Sequence, residues 1–352
     1  MVNRNRARFA GALLAACLLA GGVAVAQAPA AAAKGPDFAG DQQKQQVAQP
    51  LNNQPVWKEV RSGAPQVTTV LGRETNVLVQ PEGQTWRAMR VPISTAGGWL
   101  LAAVVLAVMG FYAWRGPIDL QGRPTGRMIE RFTTVNRIAH WTIAISFVTL
   151  AISGLIISFG KAVLLPLIGY TLFSWLATLA KNLHNFTGPV FTVALPVLIV
   201  LFIGDNLPKA YDFQWLVKFG GLLDRTGKTH PPAGKFNAGE KVLFWLMVCL
   251  FSVTLVVTGL ILDFPNFDQT RATMQLANLV HMGVAMLAIA TAAFHIYIGT
   301  IGMRGAYDAM RYGYVDETWA KEHHEYWYND VMAGKVARGP EPRVPLPEHG
   351  RA

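Results

Sequence analysis

Four of the eight histidines in the sequence lie inside or at the ends of long apolar runs: His140, His184, His281 and His295. An imidazole within a membrane is costly unless it has a partner, so each of the four is a candidate for function. His281 and His295 are fourteen residues apart, which in an α-helix places them roughly 21 Å apart on nearly the same face. His140 begins one run level with His295, and His184 begins another level with His281. The spacing therefore predicts two pairs of facing histidines, one in each half of a membrane.

Paired imidazoles of this kind suit the axial ligation of b haem, which needs one histidine on each face of a flat macrocycle and apolar walls around it. Zinc or copper would usually recruit more nitrogen, sulfur or oxygen ligands, and a proton relay would use carboxylates, which the runs almost lack. The only cysteines, Cys17 and Cys249, lie in apolar runs, which excludes an iron–sulfur cluster, a cysteine zinc site and a disulfide framework. Gly154, fourteen residues after His140, would either admit a porphyrin or serve ordinary small-residue packing. The residues thus predict two b haems.

The composition indicates the elements that hold these histidines. The chain has 352 residues, 52% hydrophobic and only 15% charged, with a mean hydropathy of +0.28, as expected for an integral membrane protein. Five apolar runs are long enough to cross about 30 Å of hydrocarbon as helices: 97–114, 138–159, 184–203, 242–262 and 278–301. The stretch 162–180 is also apolar, and we predict an amphipathic segment in the outer interface there, because a sixth span would reverse the charge bias described next.

Positive charges fix the expected orientation. Eighteen Lys and Arg lie in the segments 115–137, 204–241 and the tail after 301, against three in the two opposing loops. By the positive-inside rule, the eighteen face the cytoplasm, as does the C-terminus. The formal charge of +10 is therefore a topology signal and does not point to nucleic acid.

The N-terminus reads as a targeting segment. Arg4, Arg6 and Arg8 precede an apolar run that ends in an A-x-A arrangement at Ala26, which predicts a signal peptide over 1–26. A lipidated Cys17 or an uncleaved anchor are the alternatives, and all three export the polar segment 27–95 to the periplasm. The remaining predicted segments are an extra transmembrane helix at 96–114, a transmembrane domain at 115–304 and a cytoplasmic tail at 305–352.

The order and spacing of several short strings resemble the cytochrome b (gamma) subunit of respiratory, membrane-bound formate dehydrogenases, over about residues 131–328. The strings are RIAHW at 137–141, LHNFTG at 183–188, GKFNAGEK at 234–241, VHMG at 280–283, FHIY at 294–297 and WAKEHH at 319–324. The resemblance implies an all-α integral membrane protein, a four-helix di-haem cytochrome b bundle, here preceded by the extra N-terminal transmembrane helix.

That resemblance also implies a function in anaerobic respiration at the bacterial inner membrane. His184 with His281 would hold the outer haem, and His140 with His295 the inner one, which agrees with the pairing by depth. Electrons would pass from an iron–sulfur (beta) subunit, served by a molybdenum or tungsten catalytic (alpha) subunit, to quinone. The chain itself has no apparent site for formate oxidation. The alternatives are the cytochrome b subunit of a hydrogenase or thiosulfate reductase, or a haem-free membrane anchor or transporter.

A quinone site is expected beside the inner haem, at His295 and the loop 236–241. Asn237 would donate a hydrogen bond to the quinone, and Glu240, which stands where the family can carry Gln, would provide proton entry. The alternative is that Asn237 only caps a helix beginning near Gly239, with Glu240 favourable in its first turn.

Overall fold

The computed structural model describes residues 81–224, 230–340 and 342, together with Lys58, Arg61 and Ser62. The predicted signal peptide, including Cys17, lies outside the described residues. So does nearly all of the predicted exported segment before residue 81.

The described residues are mostly helical, and five of their helices are long and apolar enough to cross a membrane, as the sequence predicts. These five are α1, α2, α3, α5 and α6. In chain order the elements are α1 (Pro81–Arg115), β1 (Met128–Glu130), α2 (Thr134–Val163), α3 (Leu165–Phe202), α4 (Ala210–Val217), α5 (Ala238–Asp263), α6 (Arg271–Gly302), α7 (Ala306–Arg311), β2 (Tyr314–Asp316), α8 (Glu317–His323) and α9 (Glu325–Met332).

The third span differs from its expected form. The stretch 162–180 is helical and joins the third span: α3 begins at Leu165 and runs into the span, apart from one non-helical residue, Gly169 (φ 75°, ψ 172°). Its place in the outer interface stays a prediction. The stretch after Gly169 contains neither glycine nor proline before Gly188, so nothing in it ends a helix. From residue 170 to Phe202, α3 is roughly 50 Å long and exceeds the hydrocarbon thickness. The number of spans is unchanged.

Helices α2, α3, α5 and α6 form a four-helix bundle, and α1 packs along the outside of α6. Close approach of α1 depends on Gly97, since a Cβ there would lie 2.5 Å from Cγ of Met286. The Trp86 indole donates a hydrogen bond to Asn278 on α6 (3.0 Å). The extra helix is therefore part of the folded membrane domain, and it begins at Pro81, earlier than the predicted 96.

The segment after α6 folds onto the end of the bundle that holds His140 and His295, called the tail end below. The opposite end, with His184 and His281, is called the far end. At the tail end, β1 and β2 pair in antiparallel register, with Ile129 opposite Val315, and both side chains are buried. The paired strands tie the chain before α2 to the C-terminal segment at this end of the bundle.

Two tail histidines, His323 and His324, are buried in this cover. They pack within their own chain, against the ring of Trp319. The Nδ1–H of His324 donates to the carbonyl of Gly234 (2.7 Å). Burial lowers the pKa of His323 to about 3, helped by nearby His230. Burial likewise holds the pKa of His324 well below its usual value.

These histidines predict that the tail loosens in acid. Their pKa values are depressed in the docked tail, so docking is at full strength above about pH 6.5, the ordinary value. It weakens as pH falls toward 3, because the undocked tail takes up protons that the docked tail excludes. In that window, each histidine weakens the free energy of tail docking by up to about 1.4 kcal/mol for each unit that the pH falls.

Hydrogen exchange of the amides in α8 and α9 tests this. After correction for intrinsic exchange rates, the opening free energies should be lower at pH 5.5 than at pH 7.5. In His323→Gln, the pH dependence of the opening free energy should fall by the equivalent of about one proton taken up on opening. Equal opening free energies at both pH values in the unmodified chain would contradict the prediction.

Candidate di-histidine sites

The far-end pair consists of His184 on α3 and His281 on α6. Their ring centres are 6.1 Å apart and the ring planes meet at 71°. The tail-end pair consists of His140 on α2 and His295 on α6, with ring centres 6.2 Å apart and planes at 61°. The structure thus brings together the histidines that the spacing predicts to face each other.

Both separations fit a metal centre bound between the rings. Two imidazoles that bind one metal from opposite sides have ring centres roughly 6.2 Å apart, because each metal–nitrogen bond is about 2 Å long and each ring centre lies about 1.1 Å behind its nitrogen. Within the described ranges, no three His, Cys, Asp or Glu side chains converge where they could hold a metal ion. A pair of imidazoles alone suits haem, which supplies four nitrogens of its own.

The far-end histidines have matching hydrogen-bond partners on neighbouring helices. Ser153 Oγ of α2 lies 2.9 Å from Nδ1 of His184, and Thr258 Oγ1 of α5 lies 2.9 Å from Nδ1 of His281. Each hydroxyl engages one ring nitrogen and leaves the other, Nε2, for a ligand. At the tail end, Nδ1 of His140 is buried and has no hydrogen-bond partner among the described residues.

A glycine follows each of these hydroxyl residues. A Cβ at Gly154 would lie 3.3 Å from Cε1 of His184, and a Cβ at Gly259 would lie 3.4 Å from Cε1 of His281. The absent side chains make room for the imidazole rings. At Gly154 the packed group is the histidine ring itself, and the approach of a porphyrin to this glycine stays a prediction.

Asn237 and Glu240 form a capping box at the start of α5. Asn237 Oδ1 accepts from the backbone N–H of Glu240 (2.9 Å), and Glu240 Oε2 accepts from the backbone N–H of Asn237 (2.9 Å). The capping role that the sequence offered as an alternative is therefore present. It occupies the Asn237 oxygen, while the Asn237 amide N–H₂ is not needed for the cap.

Glu240 also forms an ion pair that the sequence did not predict. Arg131 Nη2 lies 2.9 Å from Oε1 of Glu240, and the Arg131 side chain is only 4% exposed. The same Arg131 nitrogen donates to the carbonyl of Lys235 (2.7 Å). Glu240 at the start of α5 is therefore a paired carboxylate, with about a third of its side chain exposed.

Sequence reasoning missed Ser153, Thr258, Gly259 and Arg131. Serine and threonine in membrane helices usually bond to a backbone carbonyl one turn earlier, as Thr149 does, so their types do not reveal which two face a histidine. Arg131 was counted only as a topology cation. The string Ser/Thr-Gly-Leu-Ile, at 153–156 and 258–261, is a repeat in the sequence that marks both hydroxyls and both glycines.

Comparisons with known proteins point to one family. The family model described as prokaryotic cytochrome b561 matches residues 131–313, about half of the chain. This range includes all four histidines and excludes α1.

Curated relatives match a similar range at 30% identity. The nitrate-inducible formate dehydrogenase cytochrome b556(Fdn) subunit of Escherichia coli (strain K12) aligns over 223 residues, 61% of this chain and 97% of the relative. The formate dehydrogenase cytochrome b556 subunit of Haemophilus influenzae aligns over 218 residues, 59% and 85%. The cytochrome b556(fdo) subunit of Escherichia coli (strain K12) aligns over 213 residues, 58% and 93%.

Proposed function

The chain belongs to the prokaryotic cytochrome b561 family and, within it, to the cytochrome b subunits of formate dehydrogenase, and from this premise we propose how it transfers electrons in the membrane. It accepts electrons from an iron–sulfur subunit at the far end and delivers them to quinone at the tail end. His184 with His281 hold one b haem, and His140 with His295 hold a second. The observation that carries this proposal is the pair of facing imidazoles at each end, with ring centres 6.1 and 6.2 Å apart.

Orientation follows from the charges. The cation-rich segments lie on the tail-end side, so we place the tail end in the cytoplasm and the far end in the periplasm, at the bacterial inner membrane. Quinone reduction at the tail end requires electrons to enter at the far end. The iron–sulfur (beta) subunit, with its molybdenum or tungsten catalytic (alpha) partner, therefore docks on the periplasmic side.

The chain's own residues position the two haem sites and keep water away from the path between them. When bound, each haem supplies reversible one-electron chemistry at its iron. The fourteen residues of α6 between His281 and His295 set the two sites roughly 21 Å apart along the helix. Apolar side chains of α2, α3, α5 and α6 exclude water between them, so the electron is kept from side reactions with solvent.

The quinone site lies beside the tail-end pair and uses His295, Asn237 and Glu240. Reduction of a quinone takes up two electrons and two protons, so its site must combine an electron donor with polar groups that reach water. The Asn237 amide N–H₂ donates to a quinone carbonyl. Glu240, paired with Arg131 and partly exposed, passes protons inward from the cytoplasm.

Kinetics separate this proposal from capping alone. Asn237→Ser keeps a good cap residue, and Glu240→Gln keeps the capping-box pattern, so both variants should fold and retain both haems. Reoxidation of the reduced protein by added quinone should nevertheless slow about tenfold or more, since a hydrogen-bond donor or a proton route is lost. Stopped-flow absorbance measures this rate. Unchanged rates in both variants would leave these residues only the capping role.

Copurification identifies the complex. A tag on this chain should recover formate-oxidising activity measured with an artificial electron acceptor, together with iron–sulfur and molybdenum or tungsten subunits. Recovery of hydrogenase or thiosulfate reductase activity in its place would assign the chain to a different respiratory complex.

A further inference from the structure

The histidines at the two ends of the bundle differ in their hydrogen bonding. Each far-end histidine contacts a hydroxyl on the next helix, Ser153 for His184 and Thr258 for His281. At the tail end, Nδ1 of His140 is buried without a hydrogen-bond partner among the described residues.

The direction of the far-end hydrogen bonds follows from the backbone. Ser153 Oγ lies 2.7 Å from the carbonyl oxygen of Thr149, and Thr258 Oγ1 lies 2.7 Å from that of Thr254. A hydroxyl has one proton, and a carbonyl can only accept. Each hydroxyl therefore donates to its carbonyl and accepts from the histidine Nδ1–H. This fixes the tautomer in which Nε2 carries the lone pair.

Such a hydrogen bond also changes the electron density that the imidazole ring donates to a bound metal. An imidazole whose Nδ1–H is hydrogen-bonded is more basic at Nε2, so it binds a metal more strongly and favours the oxidised ion. Second-shell hydrogen bonding of this kind is one of the means by which a protein sets the potential of a haem.

We infer that Ser153 and Thr258 are positioning residues of the far-end site, which fix the tautomers of His184 and His281 and lower the far-end haem potential. This inference rests on the proposed ligation of haem by the two pairs. A lower potential at the far end favours movement of each electron toward the tail end, the direction that quinone reduction requires.

Potentiometric titration of the purified full-length chain tests the inference. The variants are Thr258→Val and Ser153→Ala, which remove one hydroxyl each. The matched controls are Thr254→Val and Thr149→Val, one turn earlier on the same helices, whose hydroxyls bond only to backbone carbonyls. Thr258→Ser keeps the hydroxyl and should behave like the unmodified chain. The far-end component is the one that His281→Ala eliminates.

Each test variant should shift the far-end reduced-to-oxidised ratio about tenfold toward reduced at a given potential, which is about 59 mV for a one-electron couple. The tail-end component and the controls should not move. Loss of the far-end haem from Thr258→Val, but not from Thr254→Val or Thr258→Ser, would be a stronger form of the same result. Two retained haems with unshifted potentials, or equal shifts in the controls, would overturn the inference and leave haem ligation intact. A chain without a far-end haem would instead overturn the proposed function.

Discussion

Replacing His281 with Ala is expected to halve the haem content of the purified chain, from two b haems to one. The far-end haem would lose one of its two axial ligands, and no other described residue stands opposite His184 at ring-to-ring distance. The tail-end pair lies roughly 21 Å away along α6 and should be unaffected. Haem extraction and quantification against protein measure the loss, and the remaining spectrum should be that of a low-spin b haem.

Asn278→Ala is the matched control for this variant. Asn278 lies one turn before His281 on α6 and accepts a hydrogen bond from Trp86, so its replacement perturbs the same helix without touching the pair. It should keep both haems. His184→Ala should reproduce the loss seen in His281→Ala, and two full haems in either histidine variant would contradict the assigned ligands.

Replacing His295 with Ala is expected to stop electron delivery to quinone while leaving the far-end haem in place. The tail-end haem would then lack one of its two histidine ligands, so the haem site nearest Asn237 and Glu240 would be lost. The far-end haem should still be reduced by formate in the intact complex. Its reoxidation by added quinone should fall to the rate seen without quinone.

His140→Ala should give the same phenotype, because it removes the opposite ligand of the same pair. Thr291→Val is a suitable control, since the Thr291 hydroxyl on α6 bonds only to the carbonyl of Leu287. Rapid quinone-dependent reoxidation in both histidine variants would show that quinone receives electrons elsewhere.

Much of the membrane domain follows from simple periodicities in the sequence. Apolar run length predicts the five spans, and the fourteen-residue spacing of His281 and His295 fixes their relative depth and face. His140 and His184 then pair with them because helix ends are tied to the membrane surfaces. These arguments use distances along a helix, which the sequence states directly.

Features that depend on contact between helices are harder to predict. Ser153 and Thr149 lie one turn apart with similar side chains, yet only Ser153 meets a histidine. Arg131 lies in a loop whose charge indicates topology, while its burial against Glu240 depends on how the tail covers the bundle. The burial of His323 and His324 has the same origin, because strand pairing of residues 128–130 with 314–316 brings distant segments together.

The central claim is that one chain holds two b haems, each between two histidines. The most direct measurement is the reduced-minus-oxidised absorbance spectrum of the purified full-length chain, combined with haem extraction and protein quantification. The account predicts two haem b per chain, both low-spin, with two components in a potentiometric titration. A single haem per chain, or no haem signal, would contradict it.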